Sequence, residues 1–162
     1  MQPTDTLTVL FRHHLWANLR LLERCAALTD AQLATRIPGV YGSILATLQH
    51  IVTSDQSYLA RISTGQPLRR TPGEEPTTIA ELTEAARASG QGLIAWAARV
   101  RPEDTVRIDW DGIPREVPKS IILAQALSHA TEHRAQVAVM LTHLGIEPPD
   151  LQGWAYFDEL EP

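Results

Sequence analysis

Four long stretches of this chain repeat apolar residues at intervals of three and four, and proline or glycine separates each from the next. That interval gives an α-helix one apolar stripe, and a lone helix cannot hide its stripe from water, so the helices must pack on one another. The first stretch covers residues 4–28, with Leu7, Leu10, Phe11, Leu15, Leu19, Leu22 and Ala26 on its stripe, and Pro38 and Gly39 end the segment after it. The second opens at Ser43, whose hydroxyl can cap a helix start, and carries Ile44, Leu48, Ile51, Leu59 and Ile62 before Gly65 and Pro67. Thr78 and Glu81 form a capping box for the third, whose stripe includes Leu82, Ala85, Leu93, Trp96 and Val100. Gly90 and Gly92 lie within it, each costing about 1 kcal/mol of helix propensity relative to alanine. The fourth starts after Pro118 and runs to Leu144, where Gly145 is the expected stop and Pro148-Pro149 prevents resumption.

Between the third and fourth stretches, Val106, Ile108 and Trp110 alternate up to Asp111-Gly112, followed by Ile113 and Val117. Asp-Gly supplies the positive φ angles of a tight turn, so this part predicts a short hairpin. Residues 66–76 read as loop. The expected fold is therefore all-α, a four-helix bundle with a short hairpin or irregular connection between its third and fourth helices. One domain over residues 1–162 accommodates it.

Charge narrows the partners. With 14 Lys and Arg against 19 Asp and Glu, the formal net charge is −5, and only Arg69-Arg70 makes a basic pair. This disfavours nucleic acid, whose affinity depends on cations against phosphates. Apolar runs such as Ile121-Ile122-Leu123-Ala124 are far too short for a membrane span. The single cysteine, Cys25, cannot form an internal disulfide and lies among Leu21, Leu22 and Leu28 as a packing residue. Without a signal-like start, the expected location is the cytoplasm.

His129 and His133 are four residues apart, so on a helix they share one face. Steps of three or four from them reach Ile122, Ala126, Val137, Met140 and Leu144, which points both imidazoles into the bundle. A neutral imidazole offers one lone pair and is a common metal ligand. His50, beside Leu48 and Ile51, is the only other histidine in the middle of a helix. His13 and His14 are adjacent, so at most one faces inward, and His143 is next to a helix end; these three read as solvated or singly hydrogen-bonded surface residues. Spacing alone leaves His50, His129 and His133 as either a metal site or three satisfied core or boundary residues.

Two known patterns test that choice. Di-iron bundles use Glu-x-x-His pairs, but Thr47, Ala126 and Ala130 stand three residues before the histidines, so this pattern fails. The string from His129 to His133 does fit the zinc-peptidase pattern H-x-x-E-H, in which Glu132 would act on a metal-bound water. No distal acidic ligand is identifiable, and Glu132 can equally face solvent or pair with Arg134 or Gln136.

Four segments together resemble the DinB/YfiT-like family: Trp16-Ala17-Asn18; Gly42-Ser43-Ile44 leading to His50; the segment His129-Ala130-Thr131-Glu132-His133-Arg134-Ala135-Gln136; and the tail from Gly145 to Tyr156 with Trp154. The resemblance covers nearly the whole chain. It implies a four-helix bundle in which His50, His129 and His133 hold one divalent ion, zinc, nickel or iron, with water completing the shell. Family members commonly have glycine before the glutamine, where this chain has Ala135. The expectation there is a slightly tighter helix and less room beside the ion. The family name refers to DNA-damage induction rather than DNA binding. Characterised relatives include S-transferases that use low-molecular-weight thiols and a thiol-dependent maleylpyruvate isomerase; many have no known activity, and homodimers are frequent.

The leading expectation is a metal-dependent enzyme, a low-molecular-weight-thiol S-transferase, because three neutral ligands leave the ion its charge and an open position. The alternatives are a metal-dependent hydrolase and a non-catalytic, stress-associated metal-binding protein. Trp16, Trp96, Trp154 and Tyr156 are candidates for either a substrate pocket or ordinary core and interface packing. Arg134 can bind the carboxylate of a thiol cofactor or make a helix-to-helix salt bridge.

Overall fold

The structure, a computed structural model, describes residues 5–71 and 73–160. Along the chain come α1 (Thr6–Cys25), α2 (Asp30–Leu33), α3 (Ile44–Thr64), α4 (Ile79–Ala97), β1 (Thr105–Trp110), β2 (Ile113–Pro118), α5 (Lys119–His143) and α6 (Gly153–Leu160). Both α1 and α3 pack against α4 and α5, so the four long helices close a ring, the expected bundle.

Local chemistry sets most boundaries. The start expected at Thr4 lies outside the described residues; Asp5 caps α1 by accepting from the Thr8 N–H. The first stretch is shorter than its periodicity suggests, because α1 ends at Cys25 and the separate turn α2 follows. Ser43 and Thr78 cap α3 and α4 as expected, and the Thr78–Glu81 capping box is present. Gly65 ends α3 at a φ of 73°. Asp111 and Gly112 have φ angles of 53° and 80°, the turn that pairs β1 antiparallel to β2. The side chain of Trp110, part of the expected alternation, is outside the described set. Gly90 and Gly92 serve packing: a Cβ on them would come within 2.5 Å of the Leu15 and Leu59 side chains, so both let α4 approach its neighbours closely.

The core divides into two apolar clusters. One gathers Leu21, Leu22, Ile44, Leu48, Leu82 and Met140 near one end of the bundle. The other gathers Phe11, Ile62, Leu93, Ile108, Ile122 and Leu123 near the end carrying the hairpin. In each long helix the positions between these clusters hold buried polar residues: His14 and Asn18 in α1, Asp55 in α3, Ser89 in α4, and His133 and Arg134 in α5. A polar layer thus crosses the middle of the bundle. The stripe expected on α1 needs correction accordingly, since Leu10 and Ala26 are exposed while His14 and Asn18 are buried.

Candidate metal centre

At the edge of the polar layer, His50 from α3 meets His129 and His133 from α5. Their ligand atoms all lie within 4.8 Å of one another, and their ring centroids are 4.5 to 4.8 Å apart. The Nε2 atoms of His50 and His129 are separated by 3.0 Å. Metal–nitrogen bonds of about 2.0–2.1 Å meeting between a right angle and the tetrahedral angle put two nitrogens roughly 2.9–3.4 Å apart. The observed spacing is compatible with one edge of a coordination shell and equally with an N–H···N hydrogen bond between the two rings.

Two of the imidazoles, His50 and His129, are also pushed toward the neutral form that a ligand needs. Burial pushes His50 below the ordinary histidine range, and the neighbouring His133 adds to the shift. Burial does the same at His129, reinforced by His133 and His50 and opposed by Asp55 and Glu132. His133 Nδ1 lies 2.9 Å from Gln136 Oε1, which also accepts from the Tyr41 N–H at 3.2 Å. An amide oxygen can only accept, so His133 Nδ1 carries a proton, which makes Nε2 the ring nitrogen available to a ligand role. His129 Nδ1 is buried without a hydrogen-bond partner. Three convergent imidazoles fit a divalent ion of the zinc, nickel or iron class.

Behind the triad, the polar layer is knit across three helices. Asp55 Oδ2 lies 2.8 Å from His14 Nε2 and accepts from Asn18 Nδ2 at 3.0 Å. The Arg134 guanidinium donates to Asn18 Oδ1 at 2.7 Å and to Thr131 Oγ1 at 2.9 Å. Burial lowers the Arg134 pKa to about 10, with Asp55 pulling the other way.

A model of the DinB family matches residues 1–160. The chain belongs to the DinB family. Its fold is similar to that of a DinB-like protein from Bacillus cereus, at 22% identity, covering 85% of this chain and 90% of that one, with a TM-score of 0.62. At that identity the likeness speaks for the fold alone. No curated protein matches the chain.

For this DinB-family chain the structure brings together the three histidines that the sequence singles out, and it revises their surroundings. His14, expected at the surface, is fully buried, because Asp55 and Asn18 satisfy it from within the bundle. His13 is half-buried and donates to the Leu151 carbonyl, and His143 is exposed at the end of α5. Arg134 makes the helix-to-helix contact, with Asn18 rather than an acid as its partner on α1. Glu132 is exposed and not part of the triad. Ala135 is exposed as well, so its methyl group does not narrow the space among the imidazoles. Cys25 is a buried thiol whose pKa burial raises to about 12, as a packing residue should show. Among the described residues no helix is long and apolar enough to cross a membrane.

Of the aromatic candidates, Trp16, Tyr156 and Trp96 serve packing between elements, one of the two roles expected of them. Trp16 donates to Glu159 and packs with His13 and Tyr156, tying α1 to α6. That tail is itself helical, which its aromatic run did not reveal. Trp96 donates to Ser63 and lies beneath the cations of Arg99 and Lys119. Trp154 is 78% exposed. The rings at the histidines are Tyr41, stacked on His50 at 4.1 Å, and Tyr58, edge-on to His129 at 5.8 Å. Tyr58 is two helical turns beyond His50, so the spacing carried a signal for it. Tyr41 precedes α3 in a loop and left no periodic trace.

Proposed function

We propose that this chain binds one divalent ion through His50, His129 and His133 and is a metal-dependent enzyme, a transferase acting on low-molecular-weight thiols. The observation that carries the reading is the convergence of three imidazoles and, among the described residues, no fourth histidine and no cysteine or carboxylate in the cluster. A structural site closes with four protein ligands, whereas a catalytic one keeps a position open. When bound, the ion supplies a Lewis-acidic centre that lowers the pKa of a thiol reaching its open position.

The chain's own residues supply the setting. His50 and His129, kept neutral by burial, offer lone pairs at neutral pH. Gln136 fixes the His133 ring, and Tyr41 covers the His50 face. Next to Tyr58 lies a cavity of about 350 Å³, walled by Ile108, Val117, Ile121 and Ile122 together with Arg61, with Gln125 at hydrogen-bond range of the Tyr58 hydroxyl. Such walls suit an electrophile with an apolar body. In the transfer, the thiol gives its proton to solvent, its sulfur bonds to the electrophilic carbon, and the leaving group departs with the electron pair.

The test is a turnover assay of the metal-loaded protein with bacillithiol, mycothiol or glutathione and a chromogenic electrophile. Consumption of a thiol that stops on chelation, in a protein that stays folded, supports the transferase. No binding and no turnover with any of the three removes it. A large fall in melting temperature on chelation without turnover assigns the ion to structural support instead.

A further inference from the structure

We infer that the electrophile of the proposed transfer is a small organic acid, whose apolar body fills the cavity beside Tyr58 and whose carboxylate ends against Arg61. The inference rests on the transferase reading and names the acceptor class that reading leaves open. Cavity and triad are built on the same two helices. On α5, Ile122 and Gln125 precede His129 at helical spacing, so the three share one face. On α3, Tyr58 and Arg61 follow His50 by two and three turns. Ile122, Gln125, Tyr58 and Arg61 all line the cavity, which the hairpin completes with Ile108 and Val117. Tyr58 joins the two places, because its ring meets the His129 ring edge-on at 5.8 Å and also lines the cavity. The cavity therefore begins one turn from His129 and extends to Arg61, about 16 Å along α3 from His50 at the helical rise per residue.

The lining decides what fits. Ile108 and Ile122 are buried, whereas Ile121 is 58% exposed, an apolar side chain that a ligand in the cavity would cover. A volume of about 350 Å³ lies at the small end of ligand pockets, room for one ring with a short chain rather than for a peptide. The polar groups are few. Gln125 donates its amide N–H to the Tyr58 hydroxyl oxygen at 3.5 Å, so the hydroxyl proton is left to donate elsewhere. Arg61 gives the lining a positive charge, and among the described residues no carboxylate lines the cavity, so the site favours an anion over a cation. A guanidinium carries five N–H donors in a fixed fork, enough to serve a neighbour in the protein and a ligand carboxylate together. Arg61 stands at the end away from the histidines, so an acid held there by its carboxylate turns its other end toward the triad. Arg61 is thus the residue that determines specificity.

Two measurements on the full chain test this. Methyl NMR of the metal-free protein is titrated with phenylpropanoate and separately with phenylpropanamide, which keeps the shape and removes the charge. The acid is expected to bind about tenfold more tightly, with shifts at the methyl groups of Ile108, Val117, Ile121 and Ile122, and Arg61→Gln is expected to abolish the preference. No binding of the acid, equal binding of acid and amide, shifts confined to other methyl groups, or a preference that survives in Arg61→Gln overturns the inference. Should Arg61→Gln fail to fold, the wild-type comparison and the position of the shifts decide. The metal-loaded protein is then assayed with glutathione, bacillithiol or mycothiol and either chloronitrobenzoate or chloronitrobenzamide. Arg61→Gln is expected to raise the KM for the acid about tenfold relative to that for the amide. An equal rise for both overturns the role of Arg61. No turnover of either electrophile overturns the transferase reading, while acid binding to the metal-free protein still stands as the measure of the cavity.

Discussion

His50 and His129 are 79 residues apart in the chain, yet their Nε2 atoms stand 3.0 Å from each other across the α3–α5 contact. Two acceptor lone pairs at that distance repel unless a proton or a cation lies between them. Replacing either histidine by alanine is therefore expected to weaken metal binding by more than about a hundredfold, since even a residue that only supports a ligand contributes about 10–100-fold. Elemental analysis beside chelator competition checks this. Unchanged metal content in His50→Ala would exclude the three-histidine site.

Folding stability should depend on pH through the same pair. Both histidines sit below the ordinary value of 6.5 in the folded protein. The unfolded chain therefore binds protons at a pH where the folded chain does not. Their contribution is complete above about pH 6.5 and is lost as pH falls toward the lowered folded values. Urea denaturation of metal-free protein from pH 7.5 to 5 should show declining stability, and His50→Ala should flatten the decline. An identical slope in the variant would contradict the assignment.

Asn18 accepts from the buried guanidinium of Arg134 at 2.7 Å and donates to Asp55. Asn18→Ala leaves a buried cation short of an acceptor. The expected loss is about 1.5–3 kcal/mol, the range for hydrogen bonds to charged groups. Asn18→Asp restores an acceptor for Arg134 but replaces the amide donor 3.0 Å from Asp55 Oδ2 with a second carboxylate oxygen, so like-charge repulsion should keep it from recovering the loss. Chemical denaturation of the variants measures both.

Gly65 ends α3 with a φ of 73°, and a Cβ there would lie 2.2 Å from the backbone carbonyl oxygen of Arg107. Backbone cannot rotate aside as a side chain can. Gly65→Ala should thus lower stability by about 1–3 kcal/mol through strain and displacement of the hairpin. Gly112→Ala also has a positive φ but meets nothing within 4 Å, so it should cost less. Thermal melts of the two variants give the comparison.

The four long helices, their caps at Ser43 and Thr78, the Asp111-Gly112 turn and the facing of His129 and His133 were all legible in the sequence. Each depends on residues within one or two turns of each other, and such spacing survives as a local period. The third histidine of the cluster, His50, could be reached only by exclusion and by resemblance, because nothing local links α3 to α5.

What tertiary structure alone decided is the company the histidines keep. His14, Asn18, Asp55 and Arg134 are polar residues whose place in a helix pattern looks like a defect in the apolar stripe. Whether such a residue is buried depends on a partner that satisfies it, and beside same-helix contacts from Asn18 and Thr131 each has a partner on another helix: Asp55 for His14, Asn18 for Arg134. Tyr41 and Gln136 likewise acquire their roles from a contact spanning 95 residues. The sequence determined which segments are helical and which face carries the imidazole pair; only their packing decided that a polar layer, rather than more apolar core, lies behind it.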